Sequence, residues 1–213
     1  LAEQRRADPQ DDLTSALVHN DLGEELLAPN EVAPFFILLA VAGNDTTRNA
    51  ISHGVDLLCR NPEQRAIWQQ DLDAVTPTAV EEIVRMASPV TYMRRTATTD
   101  VELSGHEFHE GDRVVLFYGA ANRDPRAFDD PERFDVLRDP NPHVGFGGPG
   151  PHFCLGAHLA RREVSVVFRQ LLTRLPDLEV VGDPVPLVPL GPPLVAGIKH
   201  LPVRFTPTAP AGA

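Results

Sequence analysis

At 213 residues the chain is long enough for one large domain or two small ones, with a sizeable buried core. Its 42% apolar and 23% charged residues are ordinary for a soluble globular protein, and a formal net charge of −11 without a dense Lys/Arg cluster argues against a nucleic-acid binder. The two cysteines, Cys59 and Cys154, lie in dissimilar contexts, which argues against a disulfide framework and for a reducing, cytoplasmic setting. No signal-peptide pattern opens the chain, and its start at Leu1 rather than methionine suggests a processed or truncated piece. The longest apolar run, "VAPFFILLAVAG" from Val32 to Gly43, contains a proline and falls short of the ~20 residues of a membrane span, so it reads as a buried core helix.

In chain order, "DLTSALVHN" is a short amphipathic segment, and the following stretch breaks at Gly23 and Pro29. Asn30 is a candidate N-cap for a long helix over about 31–60, apolar nearly all round at its N-terminal end and therefore expected to be buried. Asn61-Pro62 signals the start of another helix. A further helix is expected over about 77–88, with Thr78 and Glu81 at capping-box spacing and Pro89 as the stop. From about 92 to 118 the period changes to β-branched runs separated by Ser-Gly and Glu-Gly turns, which predicts short antiparallel strands. About 119–154 is irregular and rich in proline and glycine, a length of coil that usually carries function. A final helix over about 155–175 has Leu155, Leu159 and Val166 near one face, and about 176–205 reads as turn and strand. The fold class is thus mainly α with small antiparallel β-sheets.

Three constellations carry chemistry. In "HVGFGGPGPHFCLGAHLARRE", His143 to Glu163, Cys154 stands just before a helix, where free backbone N–H groups favour a thiolate. Glycines at 145, 147, 148 and 150 allow tight turns and close approach of a flat ligand. No partner cysteine stands at CxxC spacing, so zinc or an iron–sulfur cluster fits poorly and a single axial thiolate on haem iron fits better. On this loop alone a small buried cysteine beside an ordinary loop is an equal alternative. The second constellation is "AGNDTT", Ala42 to Thr47, which places a glycine, an acid and hydroxyls at the centre of an apolar helix. Thr46 can turn its hydroxyl to the Ala42 carbonyl and Gly43 weakens the same turn, so a local opening is expected there, with Asp45 as a nearby proton source; a solvated kink or helix contact is the alternative. Third, Glu82 and Arg85 stand at i and i+3, within ion-pairing reach.

Together the three resemble the cytochrome P-450s, the haem-thiolate monooxygenases, over nearly the whole chain. Gly150, His152 and Gly156 around Cys154 match the haem-binding signature, "AGNDT" matches the oxygen-activating motif and "EIVR" the Glu-x-x-Arg motif, with Arg133 of "PERF" as third member. "ANRDP", "GDRVVLFY" and "LPVRF" are further family-like stretches. The resemblance implies the C-terminal half of that fold, with Cys154 as proximal ligand of haem b and His152 and Arg95 on its propionates. It also places Ala42, Gly43, Gly147, Gly150 and Gly156 at the cofactor, and Phe146 packed near the sulfur. Thr46 would hydrogen-bond the dioxygen being activated and Asp45 would relay protons. Glu82, Arg85 and Arg133 would form a buried structural ion triad. Val90, Thr91, Tyr92 and Met93 would face a hydrophobic small-molecule substrate, with Leu38 and Ala42 opposite; ordinary core packing is the alternative for these positions.

Phe146 stands eight before the cysteine, where the common pattern has the phenylalanine seven before, at the place of Gly147. This longer loop, with "YMRRTATTDVELSG" and "RDPNPHVGFGG", resembles actinobacterial members that oxidise steroids and methyl-branched lipids. Electrons would come from NAD(P)H through ferredoxin reductase and ferredoxin, with Arg161 and Arg162 either docking that acidic partner or forming a solvated helix face. Two alternatives stand beside the monooxygenase: a non-catalytic fragment that binds haem poorly or pairs with another chain, and a peroxide-driven peroxygenase, against which Asp45 and Thr46 argue.

Overall fold

The architecture comes from a computed structural model that describes residues 1–19, 28–187 and 194–207; the expected break at Gly23 lies outside them. The chain divides into two compact units, Leu1–Asn44 and Asp45–Ala213.

In the first unit, α1 (Ala2–Ala7) precedes α2 (Leu13–His19). Asp12 starts α2 by accepting the Ser15 N–H at 2.7 Å, a side-chain N-cap. Among the described residues of this unit, Leu17, Val18 and Val32 are buried apolar side chains. The long helix α3 (Pro29–Arg60) begins one residue ahead of Asn30, because Pro29 is preset for the first helical position and Glu31 reaches back to the Ala28 N–H at 2.7 Å. Its apolar stretch is not buried as expected: Ile37, Leu38 and Val41 are exposed. The helix also runs through Ala42–Thr47 without the expected opening.

The second unit holds the main core. The C-terminal part of α3 packs with α4 (Pro62–Gln70), α5 (Leu72–Ala87) and α7 (Ala157–Arg174) around Leu58, Trp68, Ile83, Val136, Val164 and Phe168. Trp68 and Phe168 stack with ring centroids 5.3 Å apart, and the Trp68 indole N–H is satisfied by the Thr76 hydroxyl at 2.9 Å. Asn61, ahead of Pro62, turns its amide back onto the Leu57 carbonyl at 2.8 Å and so ends α3 rather than capping α4.

Helix α5 starts at Leu72, not near residue 77. Asp71 caps it by accepting the Ala74 N–H, and Thr78 lies inside the helix, its hydroxyl donating to the Val75 and Val136 carbonyls. The buried stripe Val75, Ala79 and Ile83 outweighs the second capping signal. The helix closes at Ser88, which holds a left-handed φ of 38°. Helix α7 also differs from expectation. Its buried face is Ala157, Val164, Phe168 and Leu172, while Leu155, Leu159 and Val166 face solvent. The stripe spaced by four toward α5 is the one that packs.

The sheets are two-stranded and antiparallel: β1 (Tyr92–Thr96) with β4 (Arg113–Phe117), β2 (Val101–Leu103) with β3 (His106–Phe108), β5 (Glu179–Val180) with β8 (Val203–Arg204), and β6 (Val185–Pro186) with β7 (Ile198–His200). The Ser-Gly signal becomes a two-residue hairpin with Ser104 and Gly105 both at positive φ, the geometry that matches strand twist. A one-turn helix α6 (Tyr118–Ala121) leads into the irregular segment. Among the described residues no helix is long and apolar enough to cross a membrane.

Candidate functional site around Cys154

The loop is fixed by backbone first. The Cys154 N–H donates to the Phe146 carbonyl at 2.9 Å, closing the loop on itself just ahead of α7. Gly147 turns at φ +89°, a conformation L side chains rarely adopt, and an added Cβ there would lie 3.5 Å from the His152 carbonyl oxygen. Gly145 lies against α5: a Cβ there would stand 2.6 Å from a Val84 methyl, so only glycine permits this approach. Added Cβ atoms at Gly148, Gly150 and Gly156 would meet nothing, so that side of the loop is open. Cys154 is exposed, flanked in sequence by exposed Phe153 and Leu155. His152 is exposed as well.

Behind the loop, Phe146 is held from two directions. The Arg161 guanidinium lies over its ring at 4.3 Å, and the His143 ring is 5.9 Å away and tilted. Both grip Glu81: Arg161 through Nε at 2.6 Å and Nη2 at 2.9 Å, His143 through Nε2 at 2.8 Å. Burial raises the Glu81 pKa, but the hydrogen bonds from His143 and Arg161 and their charge prevail and hold it at about 2, so it is an anion. With Glu81 ionised, His143 Nε2 donates to it, and the Gly145 N–H lies 3.1 Å from Nδ1. Arg161 is therefore occupied, whereas its neighbour Arg162 is exposed.

The deeper anchor is Glu82 with Arg85, both 0% exposed. Arg85 places all its donors: Nε and Nη2 on Glu82 at 2.7 and 2.8 Å, and Nη1 and Nη2 on the carbonyls of Asn122, Pro131 and Arg133. The expected third member is corrected. The Arg133 side chain is 61% exposed and only 3.9 Å from Asp135, so this residue contributes its carbonyl, not its charge. The second cation on Glu82 is Arg138, 11% exposed, at 3.2 Å. Glu82 also accepts the Asp135 N–H and the Asn141 amide. The turn closed by Arg138 N–H on the Asp135 carbonyl brings Arg138 back over Glu82, whereas Arg133 points out.

Asn122 joins anchor and loop. Fully buried, it donates to the Ser88 hydroxyl at 2.9 Å and accepts the Val144 N–H at 2.8 Å, at the head of the cysteine loop. The sequence reading missed Glu81, Asn122, Arg138 and His143. Only the adjacency of Glu81 to Glu82 and the "ANRDP" stretch hinted at two of them.

The other expected site residues sit as follows. Arg95 is exposed on β1, opposite Val114. Asp45 pairs with Arg48 at 2.9 Å, both more than half exposed; Thr46 is half-buried on the same helix. Ala42, Gly43 and Leu38 are exposed positions of the first unit. Val90 bridges Val195, the Thr91 N–H donates to the Leu194 carbonyl, Tyr92 lies against Phe117, and Met93 is partly exposed.

Haem fits this donor set. Among the described residues no group of three or more His, Cys, Asp or Glu is placed to hold a metal ion, so a multi-ligand protein site is absent there. One exposed sulfur on an open glycine loop, with apolar neighbours, suits a flat cofactor whose iron takes a single protein ligand. The family profile described as Cytochrome P450 matches residues 2–184. A methyl-branched lipid omega-hydroxylase of Mycobacterium tuberculosis (strain ATCC 25618 / H37Rv) is 55% identical over 206 residues, 97% of this chain and 47% of that protein. A steroid C26-monooxygenase of Rhodococcus jostii (strain RHA1) is 47% identical over 86% of this chain and 38% of its own length. The Mycobacterium marinum cytochrome P450 CYP268A2, solved in complex with pseudoionone, superposes with a TM-score of 0.88 at 51% identity, covering 96% of this chain and 48% of that one. The chain thus spans about half the length of the curated relatives it matches. The cysteine loop and its Glu82–Arg85 anchor are therefore set in a fold shared along nearly all of this sequence, and the chain belongs to the cytochrome P450 family.

Proposed function

We propose that this chain carries the haem-thiolate half of a monooxygenase that inserts one oxygen atom from O2 into a C–H bond of a hydrophobic substrate. The observation that carries the reading is the exposed Cys154 on an open loop fixed by its N–H to Phe146 and anchored through Asn122 to Glu82–Arg85. When bound, haem b would supply the redox centre for oxygen activation. Cys154 would hold the iron, with Gly147, Gly150 and Gly156 shaping the loop against the ring and Ala42 and Gly43 facing it. Arg95 and His152, both exposed donors, would bind its carboxylates. Phe146 would keep water from the sulfur. Thr46 would present a hydroxyl to dioxygen, and Asp45, paired with Arg48 at the surface, would relay protons.

The relatives' names point to a methyl-branched lipid or a steroid as substrate, against Val90, Thr91, Tyr92 and Met93. Electrons would arrive from NAD(P)H through a ferredoxin and its reductase, in the cytoplasm. A second reading, a non-catalytic fragment that holds haem poorly or pairs with another chain, is favoured by the exposed Ile37, Leu38, Leu155 and Leu159.

One measurement separates them. Haem should copurify with the chain, and its ferrous carbon-monoxide complex should show the thiolate-type Soret band, lost in Cys154→Ser. A folded chain that sheds haem establishes the fragment reading. A thiolate band that survives Cys154→Ser overturns the site.

A further inference from the structure

We propose that Glu81, His143 and Arg161 form a positioning clamp for the cysteine loop, holding Phe146 between an arginine and a histidine so that its carbonyl keeps the Cys154 N–H in place. The effect on the sulfur rests on the haem-thiolate reading; the mechanical part does not. The clamp is built from three separate parts of the chain: α5, the loop itself and the second turn of α7. Each group has one task. Glu81 uses both oxygens, Oε1 for Arg161 Nε and Oε2 shared by Arg161 Nη2 and His143 Nε2. Arg161 presents a planar face to the Phe146 ring while its edge is locked by the carboxylate, which a flexible ammonium cannot do. His143 links Glu81 to the Gly145 N–H, one residue before Phe146.

Among the described residues the Cys154 N–H is tied to the Phe146 carbonyl, so what fixes Phe146 steadies the cysteine N–H. These are positioning residues: they touch the loop, not the substrate. The same contacts remove Arg161 from the pool of surface cations available to an acidic partner.

Amide hydrogen exchange of the 213-residue chain without cofactor tests the mechanical part. Arg161→Gln and the gentler Glu81→Gln each should speed exchange at Cys154 and its loop neighbours by about tenfold, with the Trp68 and Ile83 amides of the core unchanged. Unaltered loop exchange overturns the clamp, and so does a rise spread evenly into the core, which marks a general loss of stability. Glu81→Gln keeps the side chain's shape, so the question stays answerable if Arg161→Gln does not fold.

In the haem-loaded protein the same variants should give a larger share of the ferrous carbon-monoxide form that lacks thiolate ligation, and a shifted midpoint potential. Wild-type values of both in Arg161→Gln overturn the influence on the sulfur. A wild-type protein with no thiolate band overturns the haem reading instead, and the exchange result then still decides the clamp.

Discussion

Two arginines five positions apart, Arg133 and Arg138, show how little a residue type says about its task. Both lie in the irregular segment and both touch the Glu82–Arg85 anchor, yet one gives a carbonyl and the other a charge. The charge of Arg133 stands mostly in water, where an ion pair at 3.9 Å to Asp135 is worth a few tenths of a kcal/mol at most. Arg138 is nearly enclosed; its guanidinium meets Glu82 and the carbonyls of Asp129, Asp130 and Arg133. Removing it leaves those acceptors and part of a buried carboxylate unsatisfied. Arg138→Gln should therefore cost about 2–3 kcal/mol in urea unfolding of the chain, and Arg133→Gln no more than about 0.5 kcal/mol. The reverse order of losses would return Arg133 to the triad. Arg85 itself, with every donor placed and no exposure, belongs to a harsher class, at about 3–5 kcal/mol for loss of either partner.

At the scale of elements, a close approach in the core is made by a glycine. Gly54 lets α3 press against α5 and α7: a Cβ there would lie 2.6 Å from Phe168 Cζ and 3.0 Å from Ile83 Cδ1. Phe168 cannot swing away, because Trp68 stacks on its face and both are fully buried. Gly54→Ala gains about 1 kcal/mol of helix propensity but loses about 1–3 kcal/mol to overpacking, so a net destabilisation is expected. Gly43→Ala on the same helix meets nothing within 4 Å and should stabilise by up to about 1 kcal/mol. Thermal unfolding of the two variants should move in opposite directions; equal shifts would show that α3 does not pack as described. These elements also mark the limit of what local pattern conveys. The Ser104-Gly105 hairpin and the Glu82–Arg85 pair were legible because their partners are neighbours in sequence. The start of α5 was not. Asp71 and Thr78 both carry capping chemistry, and only the apolar stripe from Val75 to Ile83 decides between them. The face of α7 was misread for the same reason: Leu159 and Val166 are as periodic as Val164 and Phe168, and what distinguishes them is α5 alongside. Arg138, Asn122 and His143 act across 22 to 62 residues of chain, beyond the reach of spacing.

For the whole molecule the deciding balance is between exposed apolar surface and net charge. In the second unit Phe117, Leu155 and Leu159 are 61%, 76% and 63% exposed, and Leu155 directly follows the cysteine in sequence. Single exposed leucines are ordinary, but several large exposed apolar side chains in one unit mark surface suited to cover by other atoms. Against association stands a formal charge of −11, whose repulsion is long-ranged in dilute buffer. The two forces respond oppositely to salt. At ~0.1 M the Debye length is ~10 Å and at ~1 M ~3 Å, so added salt removes the repulsion while apolar contact persists or strengthens. The cofactor-free chain should therefore sediment nearer to a monomer at low salt and self-associate as sodium chloride is raised, with binding of an apolar dye such as ANS. The paired change Leu155→Gln and Leu159→Gln should reduce both effects without lowering the unfolding midpoint, since neither side chain contributes to the core. Association that weakens with salt would mean that charge pairing, not apolar surface, brings the chains together. A chain that stays monomeric and dye-free at high salt would mean that these side chains find cover within their own unit.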